Sequence, residues 1–202
     1  MKAILLSVRP EHALNILNGK KTLELRKTIP HDFVGWVYVY VTKAKPYLYH
    51  NLLVTNPKYE IVDKKLVLQE LNGLVVAKCV VDGYTRLNHV QWVNQNTETY
   101  VAEGSFENEE ILKSACLDIT EVCAYGHGRP LYAWHIKRLE IFDKPMELKD
   151  FTTIHIPDDA IIEREENGEE YFYRKGMQLW HNYFSRLTRA PQSWQYVEVK
   201  GE

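Results

Sequence analysis

Gly19-Lys20-Lys21-Thr22-Leu23-Glu24-Leu25-Arg26 decides how this chain is read. The octapeptide has the form G-x-K-x-x-E-x-R and stands where a helical pattern gives way to an alternating one. Gly19 suits the left-handed turn just past a helix end. From Thr22 to Arg26 polar and apolar residues alternate. Thr22, Glu24 and Arg26 are therefore expected on one strand face, and Leu23 and Leu25 on the other. A carboxylate and a guanidinium then stand side by side, with Lys21 at the strand entrance. Such a cluster suits a phosphate, a base edge or a polarised carbonyl. The same spacing fits a wet surface strand whose Glu24 and Arg26 neutralise each other. Spacing alone leaves both readings open.

Working outward, residues 2–8 read as a strand, and Pro10 opens a short helix over 11–18 with Ala13, Leu14 and Leu17 inward. Residues 34–42 alternate Val37, Val39 and Val41 with Trp36, Tyr38 and Tyr40. Both faces are apolar, so this strand is expected at the centre, covered on both sides. Residues 74–82 form a further strand signal, with a run-on toward Leu87, and 132–142 another. Residues 108–117 read as a helix, followed by a short one toward Tyr125. Residues 45–65, broken by Pro46 and Pro57, read as irregular, and so does the polar stretch 94–110. Residues 163–170 read as an exposed acidic loop and 177–187 as a helix.

The octapeptide resembles the signature of the ASCH domain, a PUA-like family associated with RNA. Gly19, Lys21, Glu24 and Arg26 fall on its four signature positions. The resemblance continues through residues 1–30, 36–46 and 126–145. Ala190-Pro191-Gln192-Ser193-Trp194-Gln195-Tyr196 resembles the tail of the longer bacterial and phage members. It implies an α+β fold, PUA-like, with a curved mixed sheet or β-barrel core and short flanking helices. Residues 1–145 would be the ASCH domain, and 146–202 a C-terminal extension packed on it. The five strand signals agree with one strongly curved sheet.

The resemblance implies a cleft lined by the signature residues, but no single activity. Some members are RNA-binding modules, some small ones are acetylcytidine amidohydrolases using a Lys, a Thr and a Glu, and ribonuclease activity has been attributed to others. In the binding reading, an RNA or nucleotide ligand is held by Lys21, Glu24, Arg26, Lys43 and Arg129, with Gly19 as the motif glycine. Trp36, Tyr38, Tyr132 and Trp134 are candidate stacking platforms where exposed. In the enzyme reading, Lys21 and Glu24 are catalytic and act on a modified nucleoside. Lys21 matches the amidohydrolases' Lys, but Glu24 stands where they place their Thr. A carboxylate cannot replace a hydroxyl nucleophile without a change of mechanism. Thr22 is a candidate substitute, and Glu24 a candidate general base with Lys21 on an oxyanion. A third reading is a protein-interaction module using the acidic C-terminal third.

Composition narrows the field. At 202 residues one domain is the default, and 45% apolar residues can supply a core. No apolar run is long enough to span a membrane. The opening residues are too short for a signal peptide and read as strand. Three Cys, sparsely placed, argue for a reducing compartment and a cytoplasmic location. Net charge is −2, but residues 1–50 hold eight Lys or Arg against three Asp or Glu. The signature therefore lies in the basic quarter, where local sign favours an anionic partner.

The remaining candidates are weaker. Gly126-His127-Gly128-Arg129-Pro130 is a turn in which Arg129 could clamp a phosphate. It lacks the residues of a P-loop. His135 fits an acid–base group or a hydrogen-bonded core histidine. Cys116, Cys123 and His127 do not have zinc-site spacing, so no metal and no cofactor are expected. No Gly-x-Ser-x-Gly elbow occurs. Nothing in the pattern sets an oligomeric state.

Overall fold

The computed structural model describes residues 2–30, 33–46, 48, 60–62, 65–67, 70–92, 97–103, 108–154, 161–164, 170–174, 177–178 and 184–199. Its main element is a nine-stranded mixed sheet. The amino-terminal strand β1 (Lys2–Val8) leads into α1 (Pro10–Leu17), then β2 (Leu23–Arg26) and β3 (Gly35–Val41). A hairpin, β4 (Glu60–Val62) with β5 (Lys65–Val67), precedes the long strand β6 (Val75–Trp92) and β7 (Thr97–Ala102). Two helices follow, α2 (Asn108–Ala115) and α3 (Ile119–Gly126). The second long strand β8 (Leu131–Met146) and a 3-10 turn at Leu148–Asp150 lead to β9 (Phe151–Ile154). Next come β10 (Ile161–Arg164), β11 (Glu170–Arg174), β12 (Met177–Gln178), β13 (Phe184–Arg186) and β14 (Trp194–Val199).

The main sheet runs in the order β13-β9-β14-β1-β3-β6-β8-β2, with β7 paired to the far half of β6. All five strands expected from the sequence lie in it. The expected barrel does not form: the sheet is neither closed nor strongly curled. The reason is visible at β1. Closure would require β2 to meet a free strand edge. β1 gives one edge to β3 in parallel and the other to β14 in antiparallel register. With β14, β9 and β13 added beyond β1, the order ends at β13 on one side and β2 on the other, and these two do not pair.

β3 is central, as its two apolar faces require. Val37, Val39 and Val41 pack with Ile4, Leu6 and Val8 of β1 and with Ala13 and Ile16 of α1. Tyr38 and Tyr40 enter a second cluster with Leu5, Phe151 and Val197 on the other face. A third cluster joins Leu25, Leu87, Leu131 and Ala133 of the sheet to Ile111, Ala115 and Val122 of the two helices. Burial of three such clusters is the dominant favourable term.

Several local expectations fail for identifiable reasons. β6 runs past Asp82 through the expected run-on to Leu87 and five residues further, to Trp92. Register shifts against β8, the last between Val81 and Tyr84, let the strand pass Gly83 without ending. Residues 97–102 are strand and not loop, because the extension of β6 gives them a partner. Of 177–187, Met177–Gln178 and Phe184–Arg186 are strand and not helix, with 179–183 outside the described residues. Of the expected irregular stretch 45–65, residues 60–62 and 65 are strand; 49–59 lie outside the described residues. Of the expected acidic loop, 163–164 and 170 are strand, with 165–169 likewise outside. Among the described residues, no helix is long and apolar enough to cross a membrane.

Candidate functional site

α1 ends as its sequence dictates. Gly19 takes the left-handed conformation at φ +69°, and the amides of Lys20 and Lys21 both donate to the Asn15 carbonyl at 2.9 Å. This turn delivers Lys21 to the start of β2. The strand itself is fixed by β8, with Glu24 opposite Trp134 and Arg26 opposite Tyr132.

Lys21, Glu24 and Arg26 come together, and all three are buried, at 2%, 4% and 9% exposure. Glu24 lies between the cations. Its Oε1 is 2.9 Å from Arg26 Nη2 and its Oε2 is 3.3 Å from Lys21 Nζ. Each cation also has a backbone anchor. The Lys21 ammonium donates to the carbonyl of Ala115 at the end of α2, where a positive charge complements the helix dipole. Arg26 Nη2 donates to the Ser7 carbonyl at 2.6 Å. The cluster therefore ties β2 to both α2 and β1. Burial alone would raise the Glu24 pKa. The Lys21 ammonium and the Arg26 guanidinium outweigh burial and hold the carboxyl below its ordinary value.

The three residues line a cavity of about 480 Å³. Its wall includes Ser7, His12 of α1, Thr42, Tyr125 of α3, and Gln192 and Ser193 before β14. The tail is held there by Ser7, whose amide donates to the Ser193 carbonyl at 2.8 Å and whose hydroxyl donates to the Pro191 carbonyl at 2.7 Å. Three wall residues carry a buried polar atom with no hydrogen-bond partner: Glu24 Oε2, Arg26 Nε and Thr42 Oγ1. The Lys21 ammonium faces Glu24 Oε2 as a buried ion pair at 3.3 Å. One acceptor, one donor and one hydroxyl able to do either are left unmatched. Such groups cost free energy unless a ligand or water completes them.

His12, Ser7, Thr42, Tyr125 and Gln192 were not singled out from sequence as site residues. His12 is held below the ordinary imidazole value, first by burial and then by the Lys21 ammonium. It is therefore a neutral donor–acceptor near pH 7. Only the helical turn from His12 to the signature, seen in three dimensions, reveals it.

Other sequence candidates lie elsewhere. Thr22 is exposed and lines a smaller hollow of about 190 Å³ with His135 and Lys137, so it does not face Glu24. It precedes β2, outside the alternation that places Glu24 and Arg26 together. Lys43 lines a third hollow with Lys149 and Arg186. Arg129 is exposed and absent from the wall of the main cavity; its carbonyl accepts from the Tyr100 hydroxyl at 2.9 Å. His135 Nε2 is 2.8 Å from Thr85 Oγ1, and burial holds its pKa down. Tyr38 and Trp134 are buried at 2% and 0% exposure and present no face for stacking. Trp36 and Tyr132 are partly buried. Among the described residues, no group of three His, Cys, Asp or Glu side chains is placed to hold a metal.

No family model matches the chain, and no curated protein matches it. Among solved structures it is similar to the crystal structure of ASCH from Zymomonas mobilis. The two share 17% identity over 72% of this chain and 73% of that one, with a TM-score of 0.45. Two point variants of the same protein give the same identity and TM-score. At that level the likeness carries no argument about family or activity.

Proposed function

We propose that the cavity around Lys21, Glu24 and Arg26 binds a nucleotide or an unpaired base of RNA, and that the chain is an ASCH-like binding module. The convergence of Lys21, Glu24 and Arg26 on the wall of one cavity carries this reading. A carboxylate acceptor beside a guanidinium donor complements the donor and acceptor edge that every nucleobase presents. The volume falls in the range of small-molecule sites, about 300–1,000 Å³. Tyr125, partly exposed at the wall, offers an aromatic surface beside the polar groups. The G-x-K-x-x-E-x-R resemblance points the same way. In this reading residues 1–145 form the binding unit and 146–202 an extension that contributes Gln192 and Ser193 to the wall.

Amide hydrolysis fits less well. Lys21 is committed to Ala115 and Glu24, and Glu24 is a weakened base. The test has two arms. Fluorescence anisotropy with a short single-stranded RNA should show binding that Arg26→Ala weakens by about 1–3 kcal/mol, the scale of a good bidentate base contact. Acetylcytidine should release no acetate. Turnover lost in both Lys21→Ala and Glu24→Gln would replace binding by catalysis.

A further inference from the structure

β3 ends beside two hollows. Thr42 lines the cavity of Glu24 and Arg26, while Lys43 lines a separate open hollow of about 530 Å³. Both residues lie just past β3, which ends at Val41, and consecutive Cα atoms are only about 3.8 Å apart. The second hollow has three cations on its wall, Lys43, Lys149 and Arg186, against one carboxylate, Glu147. Glu147 is already bound to Lys149, at 2.9 Å. The Arg186 guanidinium lies near enough to repel that ammonium. Asp150 attracts that ammonium more than Arg186 repels it, so three cations face two carboxylates and one positive charge is left in excess.

The scaffold holding these cations is built and not loose. The amide of Gly73 donates to the Val41 carbonyl at 2.7 Å. Gly73 sits at φ +90°, and the Lys43 stem fills the space a side chain there would need. Asn72 binds the Ala44 carbonyl at 2.7 Å and the Leu48 amide at 2.8 Å, fixing the loop that follows Lys43. Arg186 is held in register opposite Thr152 of β9. The 3-10 turn bearing Lys149 is closed by reciprocal bonds between Glu147 and Asp150.

We infer that this hollow seats the phosphate backbone of the same strand whose base enters the first cavity. The ligand class is then a single-stranded polynucleotide and not a free nucleoside. The inference rests on the proposed reading of the first cavity. A guanidinium supplies a fork for phosphate oxygens and an ammonium a point charge. Lys43 directly follows Thr42, so one short segment of chain borders both hollows, and Arg186 of β13 faces the second.

The test uses the full chain and four probes: cytidine, inorganic phosphate, a short single-stranded RNA, and inorganic polyphosphate. The variants are Lys43→Gln, Arg186→Gln, their combination, Arg26→Ala, and Lys137→Gln as a control. RNA should bind more tightly than cytidine. Each lost contact should flatten the plot of log K against log salt by about 0.7, so the double variant loses about 1.4. Cytidine binding should not change in the double variant, and Arg26→Ala should weaken both RNA and cytidine. The control should leave all slopes unchanged. Where the double variant does not fold, Arg186→Gln alone carries the slope measurement. An unchanged RNA slope, with Arg26→Ala still effective, overturns the second seat and leaves the first cavity's reading intact. Polyphosphate or phosphate binding as tightly as RNA, insensitive to Arg26→Ala, overturns the shared strand. No effect of Arg26→Ala on any probe overturns the first reading itself.

Discussion

Lys21 Nζ stands 3.3 Å from Glu24 Oε2, yet it gives its hydrogen bond to the carbonyl of Ala115. The ammonium is thus shared between a helix end and a carboxylate, and the carboxylate keeps one oxygen unmatched. A purely structural ion pair gains most when its remaining lone pairs are satisfied. This one is not: Glu24 Oε2 has no hydrogen-bond partner among the described residues.

Glu24→Gln removes the anion that lies between the two buried cations Lys21 and Arg26. Breaking a buried pair while its partners stay charged costs about 3–5 kcal/mol. Urea unfolding of the variant at pH 7 should show a loss of that size. A change under half a kcal/mol would mean the cations are solvated.

Acid should erase that difference. The folded Glu24 pKa lies below its ordinary 4.5, so the stabilisation is complete above the unfolded value. It is lost as pH falls through the folded value. Wild type and Glu24→Gln should therefore differ by a constant amount above about pH 5.5 and converge below 4.5. Convergence already at pH 6 would contradict a depressed pKa.

His12 follows the same sign. Its folded pKa is below the ordinary 6.5, so its neutral form contributes stability that is lost as pH drops below the unfolded value. Proton NMR of the His12 ring should give a midpoint under 6.5. In Lys21→Met the midpoint should rise, since one cause of the depression has gone. A midpoint above 6.5 in wild type would reject the buried, cation-facing placement.

The helix end at Gly126 is packed too tightly for a side chain. A Cβ there would run into the Tyr100 hydroxyl, which donates to the Arg129 carbonyl. Gly126→Ala should destabilise by about 1–3 kcal/mol, the usual cost of overpacking. Tyr100→Phe in the same chain should relieve part of that loss. Additive losses in the double variant would show that the two residues do not collide.

Much of the candidate site was legible because its motif is local. Gly19, Lys21, Glu24 and Arg26 lie within eight residues, so one turn and one strand suffice to bring them together. Lys43 and Arg129 were harder, since only tertiary placement decides which hollow a cation faces. Thr22 misled because the alternation was carried one residue too far, to a position before β2. The sheet's central strands were readable from alternation in β3 and β8. Its openness was not, because it depends on β14 arriving at β1 from the far end of the chain. β7 was equally hidden: its strand state comes from the β6 extension it pairs with and not from its own polar sequence.

We propose that a ligand engages the Arg26 guanidinium on the cavity wall through Nε, which has no hydrogen-bond partner among the described residues. Side-chain nitrogen NMR reads that atom directly. The Arg26 Nε–H signal should shift and become protected from exchange when a short single-stranded RNA is added, and both effects should vanish in Glu24→Gln or at high salt. Tight RNA binding with the Arg26 Nε–H signal unmoved would contradict the account.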